Sequence, residues 1–328
     1  MVRPMAGASF AWSLLGTRWW LLASVLYPLC FLSGIDGAAW RWTLPWWLGG
    51  ILFFTALRIP GDSLREAFAD RERWRLAWGF AVVRLIITPV LLWGIAWCVA
   101  PEWAPGVLLV AAMPAGLSSI ALADLMRGDR LLALLAVVAS SAAAPVTIPL
   151  LVQAFGPREV TVQAAQVAER AGYIGLLLAT PLAAAQGVRA LAPRLIMAGD
   201  LWWPRAAVTC SLVLGAACIL TNYRAWAPFA WLGLLTPLGL ASLVVGLHLI
   251  LALVSRRFLR RDRADGLACG GVYLNNGLAM AFAAAFFPHD GRMLLPALLL
   301  ILPTVAAMAW LGRGSSSGAP RHQELHQS

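Results

Sequence analysis

The amino-acid sequence predicts an all-α integral membrane protein with ten transmembrane helices. Apolar residues make up 61% of the 328 residues and charged residues only 12%, whereas about a quarter of the residues of an average soluble domain are charged. Apolar stretches long enough to cross a bilayer recur along the whole chain. The predicted spans have the approximate limits 19–34, 44–58, 76–99, 105–126, 131–154, 167–188, 205–221, 229–254, 265–287 and 292–311.

The basic residues predict how these spans are oriented. The formal net charge is +10, and every basic side chain is Arg, because the sequence contains no Lys. The Arg residues cluster after the even-numbered spans, above all in 58–75 and 256–263. The positive-inside rule then places both termini in the cytoplasm of a cell with the protein in its inner (plasma) membrane, which an even number of spans requires.

A basic chain could also bind nucleic acid, but no polar segment here is long enough to form a separate nucleic-acid-binding domain. The arginines lie in short loops between apolar spans, which is typical of residues that set membrane topology. The expected partners are therefore the lipid bilayer and a small substrate, with no nucleic acid. The sequence does not indicate an oligomeric state.

The fourth and ninth spans contain helix-breaking and polar residues at their centres. The fourth reads "PGVLLVAAMPAGLSSIALADLM" and carries Ser118 and Ser119 after its Pro and Gly. The ninth reads "GLACGGVYLNNGLAMAFAAAFF" and carries Asn275 and Asn276 after its Gly pair. Broken helices at corresponding positions indicate the midplane binding site of a transporter. The alternative is two kinked helices whose small residues permit close packing.

The two breaks lie about half a chain apart, which predicts an internal repeat. We expect residues 1–157 to form a first repeat of five spans and residues 158–312 a second. Because five is odd, the second repeat enters the membrane with the opposite orientation. Residues 313–328 are polar and rich in Gly and Ser, so a disordered cytoplasmic tail is expected.

Four segments of the chain resemble the bile acid:sodium symporter superfamily. In chain order they are "FFTALRIPGDSLREAF", "MPAGLSSIALADLMRGDRLLALL", "SSAAAPVTIPLL" and "GGVYLNNGLAMAFA". The resemblance implies a panel domain formed by spans one, two, six and seven and a core domain formed by spans three to five and eight to ten. It also implies that the substrate binds between them, beside crossing fourth and ninth helices.

The resemblance further implies two sodium ions bound by oxygen ligands from spans three, four, five and nine, and most of these ligands are missing here. Ser119 keeps a hydroxyl. The other positions carried over from the family's motifs fall on Ile120, Ala133, Val137, Gly271 and Asn275. The Gln of the third span falls on Arg84. Since hard cations require several oxygen ligands, we expect a member with a degenerate sodium site that works without sodium.

Arg84 lies inside the apolar stretch "AVVRLIITP". Placing Arg at the centre of a membrane helix costs about 2.5–3.5 kcal/mol on insertion scales, so a partner or a wet cavity is expected. We predict that its permanent charge replaces a diffusible sodium ion and pairs with a substrate carboxylate. Two alternatives stay open, a static ion pair with Glu169 and a side chain that reaches the membrane surface.

The remaining candidate residues follow from the same pattern. With Arg84, the expected substrate-binding residues are Ser118, Ser119, Asn275, Asn276 and Thr304. Glu169 and Asp124 are candidates for a proton relay or an ion pair, with an ordinary place at the membrane surface as the alternative for each. His248 is interpreted as a packing residue. No metal-ligand spacing occurs, and no cofactor is expected.

These observations favour a secondary transporter of a small or amphipathic organic anion that works by alternating access. There is no GxxxxGK[ST] loop to bind a nucleotide and no catalytic set of side chains, so an enzyme is not expected. Efflux of arsenite or another metalloid is an alternative, for which Cys269 is the nearest thiol to a break. A membrane sensor that uses a transporter scaffold is another. The sequence does not indicate whether protons, exchange or the substrate gradient supplies the energy for transport.

Overall fold

A computed structural model describes residues 19–59, 66, 68–126, 128–156, 164–198, 202–229, 231–287, 290–304 and 306–307. These residues are helical throughout, apart from turns and one isolated β-bridge. The α-helices are α1 (Trp19–Leu32), α2 (Leu44–Ala56), α3 (Arg71–Val99), α4 (Ala104–Ala111), α5 (Ser118–Leu125), α6 (Arg130–Phe155), α7 (Ala164–Leu191), α8 (Pro193–Ala198), α9 (Trp203–Thr221), α10 (Tyr223–Trp226), α11 (Leu235–Ser255), α12 (Arg261–Val272), α13 (Asn276–Phe286) and α14 (Gly291–Leu299). The tail predicted at 313–328 and both chain ends lie outside the described residues.

Among the described residues, five helices are by length and composition able to cross a membrane, which agrees with a multi-pass membrane protein. They are Arg71–Val99, Arg130–Phe155, Ala171–Leu191, Trp203–Thr221 and Leu232–Ser255. The other predicted spans coincide with shorter helices or with two helices separated by a break. Ten crossings and an inverted repeat therefore stay predictions, as does the orientation in the membrane.

The third predicted span starts earlier than expected, at Arg71 rather than at residue 76. Asp70 supplies the reason, because its side chain accepts hydrogen bonds from the backbone N–H groups of Glu72 (2.9 Å) and Arg73 (3.0 Å). Such an N-cap satisfies donors that have no partner within the helix. The sequence-based limit was wrong because it followed apolar residues alone, and the first turn of this helix is charged.

The helices of the predicted panel pack on one another: α2 contacts α7 and α9, and α9 also contacts α1. The helices of the predicted core do the same, since α3 packs against α6, α4 against α14, and α11 against α12. α6 also packs along α7 and so connects the two groups. The division into two moving domains stays a prediction.

α4 and the residues that follow it are deeply buried. Every residue from Val107 to Met113 is fully buried. A helix that is apolar all round must be enclosed by other elements, and α4 packs against α3, α6, α11, α13 and α14. The end of α4 therefore lies inside the protein, where its unpaired carbonyl groups cannot reach bulk water.

Candidate functional site

The breaks in the fourth and ninth spans meet in the middle of the molecule. Residues 112–117 separate α4 from α5, and residues 273–275 separate α12 from α13. An isolated antiparallel β-bridge joins the two breaks. In it, the N–H of Gly116 donates to the carbonyl of Tyr273 (2.8 Å) and the N–H of Asn275 donates to the carbonyl of Pro114 (2.9 Å). Each break therefore supplies hydrogen-bond partners that the other has lost from its helix.

Gly116 is required by this close approach. A Cβ atom at position 116 would lie 2.7 Å from Cδ1 of Tyr273 and 3.2 Å from the carbonyl oxygen of Leu274. Carbon atoms in contact normally stay about 3.5–4.0 Å apart. A side chain at position 116 would thus push the two broken segments away from each other.

Ser140 of α6 supports the first break from the side. Its Oγ accepts a hydrogen bond from the N–H of Ala115 (3.1 Å) and donates to the carbonyl of Ala136 (2.7 Å). Ser140 is fully buried, and a buried backbone N–H without a partner would be costly. Sequence reasoning missed this residue, although a hydroxyl in an apolar span was a visible signal.

Arg84 lies in a π-helical turn, Val83–Ile87, in the middle of α3. The cause is local, because Pro89 has no N–H to donate to the preceding turn and its ring crowds that turn's carbonyl. Thr88 instead donates its N–H to the carbonyl of Val83 and its hydroxyl to the carbonyl of Arg84 (3.0 Å). Single π-turns within α-helices are frequent at functional sites.

The guanidinium of Arg84 is enclosed by protein, with 1% of the residue exposed. Its Nη1 donates to the carbonyl of Ala111 (2.9 Å) and lies 2.7 Å from Nε2 of His248. Ala111 is the last residue of α4, so the positive charge lies at the negative end of a half-helix. Because the break removes the next turn of helix, a cation at this place stabilises a carbonyl that would otherwise be unpaired.

The hydrogen bonds of His248 fix its tautomer. Nδ1 lies 2.7 Å from the carbonyl of Val244, and a carbonyl can only accept, so Nδ1 carries the proton. Nε2 then has a free lone pair and accepts from Arg84. The histidine is neutral in this arrangement. From the sequence His248 is expected to be a packing residue, whereas in the structure it contacts the charged group of Arg84.

One edge of the Arg84 guanidinium is buried without a described partner. Nε and Nη2 are buried and have no hydrogen-bond partner among the described residues. Together they form the side of the group that holds both oxygens of a carboxylate. Arg84 takes part in none of the ion pairs between described side chains. Those pairs are Arg73–Asp70, Arg73–Asp129, Arg224–Asp36, Arg256–Asp265, Arg260–Asp262, Arg261–Asp265 and Arg263–Glu72.

The predicted polar residues of the two breaks lie at the starts of the half-helices that leave the crossing. Asn275 caps α13 and accepts from the N–H of Leu278 (3.2 Å). Asn276 donates from Nδ2 to the carbonyl of Ala297 (2.6 Å). The Oδ1 of Asn276 and the Oγ of Ser119 are buried without a described partner. These groups surround the crossing, and two of them keep hydrogen-bonding capacity for a ligand.

The other predicted site residues are Ser118, Thr304, Glu169 and Asp124. Ser118 begins α5 and is partly buried. Thr304 is buried and its N–H donates to the carbonyl of Leu300 (3.1 Å). Glu169 is exposed on α7, so the alternative that paired it with Arg84 is wrong. Asp124 lies near the end of α5, and its side chain lies outside the described residues.

An ion-pair network ties together the ends of the helices at one side of the molecule. Asp129 caps α6 by accepting from the N–H of Leu132 (3.0 Å) and also pairs with Arg73 of α3 (2.8 Å). Arg263 of α12 pairs with Glu72 of α3, and the hydrogen bond to that carboxylate raises the pKa of Arg263. These contacts fix the start of α12 relative to α3 and α6, and therefore help to place the second break against the first.

Comparison with known proteins gives two findings. A family model described as the Sodium Bile acid symporter family matches residues 46–224, more than half of the chain. This region contains Arg84 and the first break. A protein named "Uncharacterized sodium-dependent transporter YocS", from Bacillus subtilis (strain 168), is 31% identical over 110 residues. That match covers 33% of this chain and 33% of the relative, so the chain spans about a third of the length of the curated relative it matches.

Proposed function

The chain belongs to the sodium bile acid symporter family, and from this we propose that it is a secondary membrane transporter that carries an organic anion by alternating access without sodium. Members of the family are transporters and not enzymes. The observation that carries the proposal is the buried Nε/Nη2 edge of Arg84, which has no hydrogen-bond partner among the described residues. A substrate carboxylate supplies the partner that this edge lacks.

An anionic substrate is favoured by charge as well as by geometry. A buried charge without a partner destabilises a protein by several kcal/mol. Among the described residues, Arg84 forms hydrogen bonds only with a carbonyl and a neutral imidazole. The half-helices α5 and α13 also begin at the crossing, and the N-terminal ends of helices favour negative charge. We propose that a carboxylate held between Arg84 and these two helix starts is stabilised by both effects.

Independence from sodium is supported by the residues at the expected ligand positions. Ala133 and Val137 are buried and apolar, so they provide no oxygen side chain. Gly271 replaces the Glu of related carriers, and a Cβ atom there would lie 3.9 Å from Cδ2 of His248. The missing carboxylate and the added guanidinium thus belong to the same neighbourhood. Arg84 already supplies the positive charge that sodium brings to related proteins.

The buried position of Arg84 supports alternating access. A side chain with 1% exposure cannot exchange a ligand with water unless the surrounding helices move. The residues that contact Arg84 come from α4 and α11 in the predicted core. We propose that the core moves against the panel and opens this edge to each side of the membrane in turn.

A thermal-shift screen with the purified full chain tests the proposal. The ligands are a panel of monocarboxylates (acetate, lactate, pyruvate, benzoate, cholate and glycocholate), each in sodium chloride and in choline chloride. At a hundredfold excess over Kd a ligand stabilises the folded protein by about 2.7 kcal/mol. We expect at least one acid to raise Tm by the same amount in both salts.

Variants of Arg84 identify the group responsible. Arg84→Gln removes the charge and is expected to abolish the shift, whereas Arg84→Lys keeps the charge but loses the two-point contact and is expected to weaken it. A shift that requires sodium, or one that persists unchanged in a folded Arg84→Gln protein, contradicts the proposal.

A further inference from the structure

We infer that this transporter works as an anion exchanger, in which the binding site reorients readily only while an anion occupies it. The inference rests on the proposed function and adds the mode of transport to it. It starts from the charge of the site, because Arg84 carries a fixed positive charge that no described acidic side chain neutralises.

In the part of the chain that the structure describes, the hydrogen-bond partners of Arg84 are all neutral. Its two hydrogen-bond acceptors are the carbonyl of Ala111 and the Nε2 atom of His248, and the histidine is neutral because its proton is on Nδ1, facing the Val244 carbonyl. All the ion pairs between described side chains are formed by other residues. The described acidic residue nearest along the chain, Glu72, is paired with Arg263.

The two forms of the site differ by one unit of charge. With a monocarboxylate on Arg84 the site is neutral, and without it the site is a bare cation. Because a guanidinium keeps its proton at all physiological pH values, the empty site cannot become neutral by releasing one. Moving an unpaired charge through a low-dielectric interior is disfavoured, so the empty carrier reorients more slowly than the loaded carrier.

This difference separates two kinds of flux. In exchange, the site is loaded in both directions, so only the neutral form reorients and no net charge moves. In net uptake, the site returns empty, and each cycle moves one negative charge inward. In carriers that use a diffusible sodium ion the charge leaves together with the substrate. Here it is bonded to the chain and stays behind.

Counterflow in reconstituted vesicles tests the inference. The full-length protein is placed in vesicles of phosphatidylethanolamine and phosphatidylglycerol. The probe is the radiolabelled form of whichever monocarboxylate in the panel above gives the largest thermal shift. Vesicles loaded with the same unlabelled acid are compared with vesicles loaded with buffer. We expect initial uptake to be at least about tenfold faster into the loaded vesicles, which corresponds to about 1.4 kcal/mol between the two barriers.

Membrane potential provides an independent measurement. A potassium gradient with valinomycin sets the potential, with the inside positive. We expect it to accelerate net uptake, because the empty, positively charged site then returns outward downhill, and to leave one-for-one exchange unchanged. In Arg84→Lys vesicles, which retain the charge, the preference for exchange should persist at lower overall rates.

The outcomes distinguish this inference from the proposed function. Equal rates into loaded and unloaded vesicles, or an exchange rate that follows the potential, overturn the exchange mode while anion transport stands. If none of the acids stabilises the protein or is taken up in either condition, the proposed function fails and the exchange mode fails with it.

Discussion

Nη1 of Arg84 lies 2.7 Å from Nε2 of His248, a residue 164 positions later in the chain. Each member of this pair is also anchored to a backbone carbonyl, Arg84 to Ala111 and His248 to Val244. The pair uses both N–H groups of Nη1, one for each acceptor. The rest of the guanidinium is therefore held in one orientation, with its Nε/Nη2 edge buried and without a described partner.

Replacing His248 with Leu should weaken both the fold and the binding of an anion. One buried N–H of Arg84 loses its acceptor, which costs about 1–3 kcal/mol, and the guanidinium is no longer held in place. His248→Gln retains an acceptor oxygen and should lose less. The measurement is Tm in detergent, with and without the stabilising acid. If the Leu variant matches the natural protein in both Tm and affinity, His248 does not position Arg84.

Gly116→Ala should destabilise the crossing by about 1–3 kcal/mol, the usual cost of an added group in a well-packed interior. The new methyl group would lie 2.7 Å from the Tyr273 ring, so the two breaks must separate. The measurement is the free energy of unfolding in detergent, together with the affinity for the stabilising acid, which should also fall.

Gly94→Ala is the matched control, because a Cβ at position 94 of α3 meets nothing within 4 Å. Alanine there should be neutral or stabilise by up to about 1 kcal/mol through helix propensity. Equal effects of the two substitutions would mean that the crossing tolerates a side chain and that Gly116 has no special role.

The breaks themselves could be predicted from the sequence, because Pro and Gly interrupt an apolar span locally and their effect does not depend on distant residues. The first break, 112–117, contains the Pro114 and Gly116 of that pattern. The second break, 273–275, lies just after the expected place, because the Gly270–Gly271 pair is still part of α12. Arg84 was likewise visible, since a charge in an apolar span requires a partner. The identity of that partner was not visible.

Contacts between distant parts of the chain account for most of what sequence reasoning missed. His248 is one of four His residues and has no neighbours in sequence that distinguish it from a packing residue. An ion pair with Glu169 was one alternative for Arg84 because opposite charges attract, but in the fold Glu169 is exposed on α7. The role of Ser140 could not be predicted either, because it depends on a backbone N–H of the preceding span.

The N-cap at Asp70 predicts a dependence of stability on pH. The backbone hydrogen bond from Arg73, followed by the charge of Arg73, holds the pKa of Asp70 below its ordinary value of 3.8. A carboxylate with a lowered pKa in the folded protein stabilises it above the ordinary pKa, and this contribution is lost as the pH falls through the lowered pKa. Stability should therefore decrease below about pH 4 at this cap.

The comparison with Asp70→Asn isolates the charge, because Asn is also a good N-cap. The difference in Tm between the natural protein and this variant should be constant between about pH 5 and about pH 8, because both values lie well above the ordinary pKa of 3.8. The difference should shrink below that pKa. A difference that is unchanged in acid would show that the Asp70 charge does not stabilise α3.

Gly271→Glu should reduce anion binding by at least about tenfold, an effect of about 1.4 kcal/mol. A Cβ atom at this position would lie 3.9 Å from His248 and 3.9 Å from Phe80, which is ordinary contact, so a side chain can begin there without a clash. Its carboxylate would be drawn to Arg84 and occupy the edge that the substrate needs. Gly271→Gln adds almost the same volume without charge and should retain most of the binding.

The measurement is the acid concentration that gives half of the maximal thermal shift in each variant. If Glu and Gln have equal effects, volume and not charge governs this position, and Arg84 is not the group that the substrate carboxylate contacts.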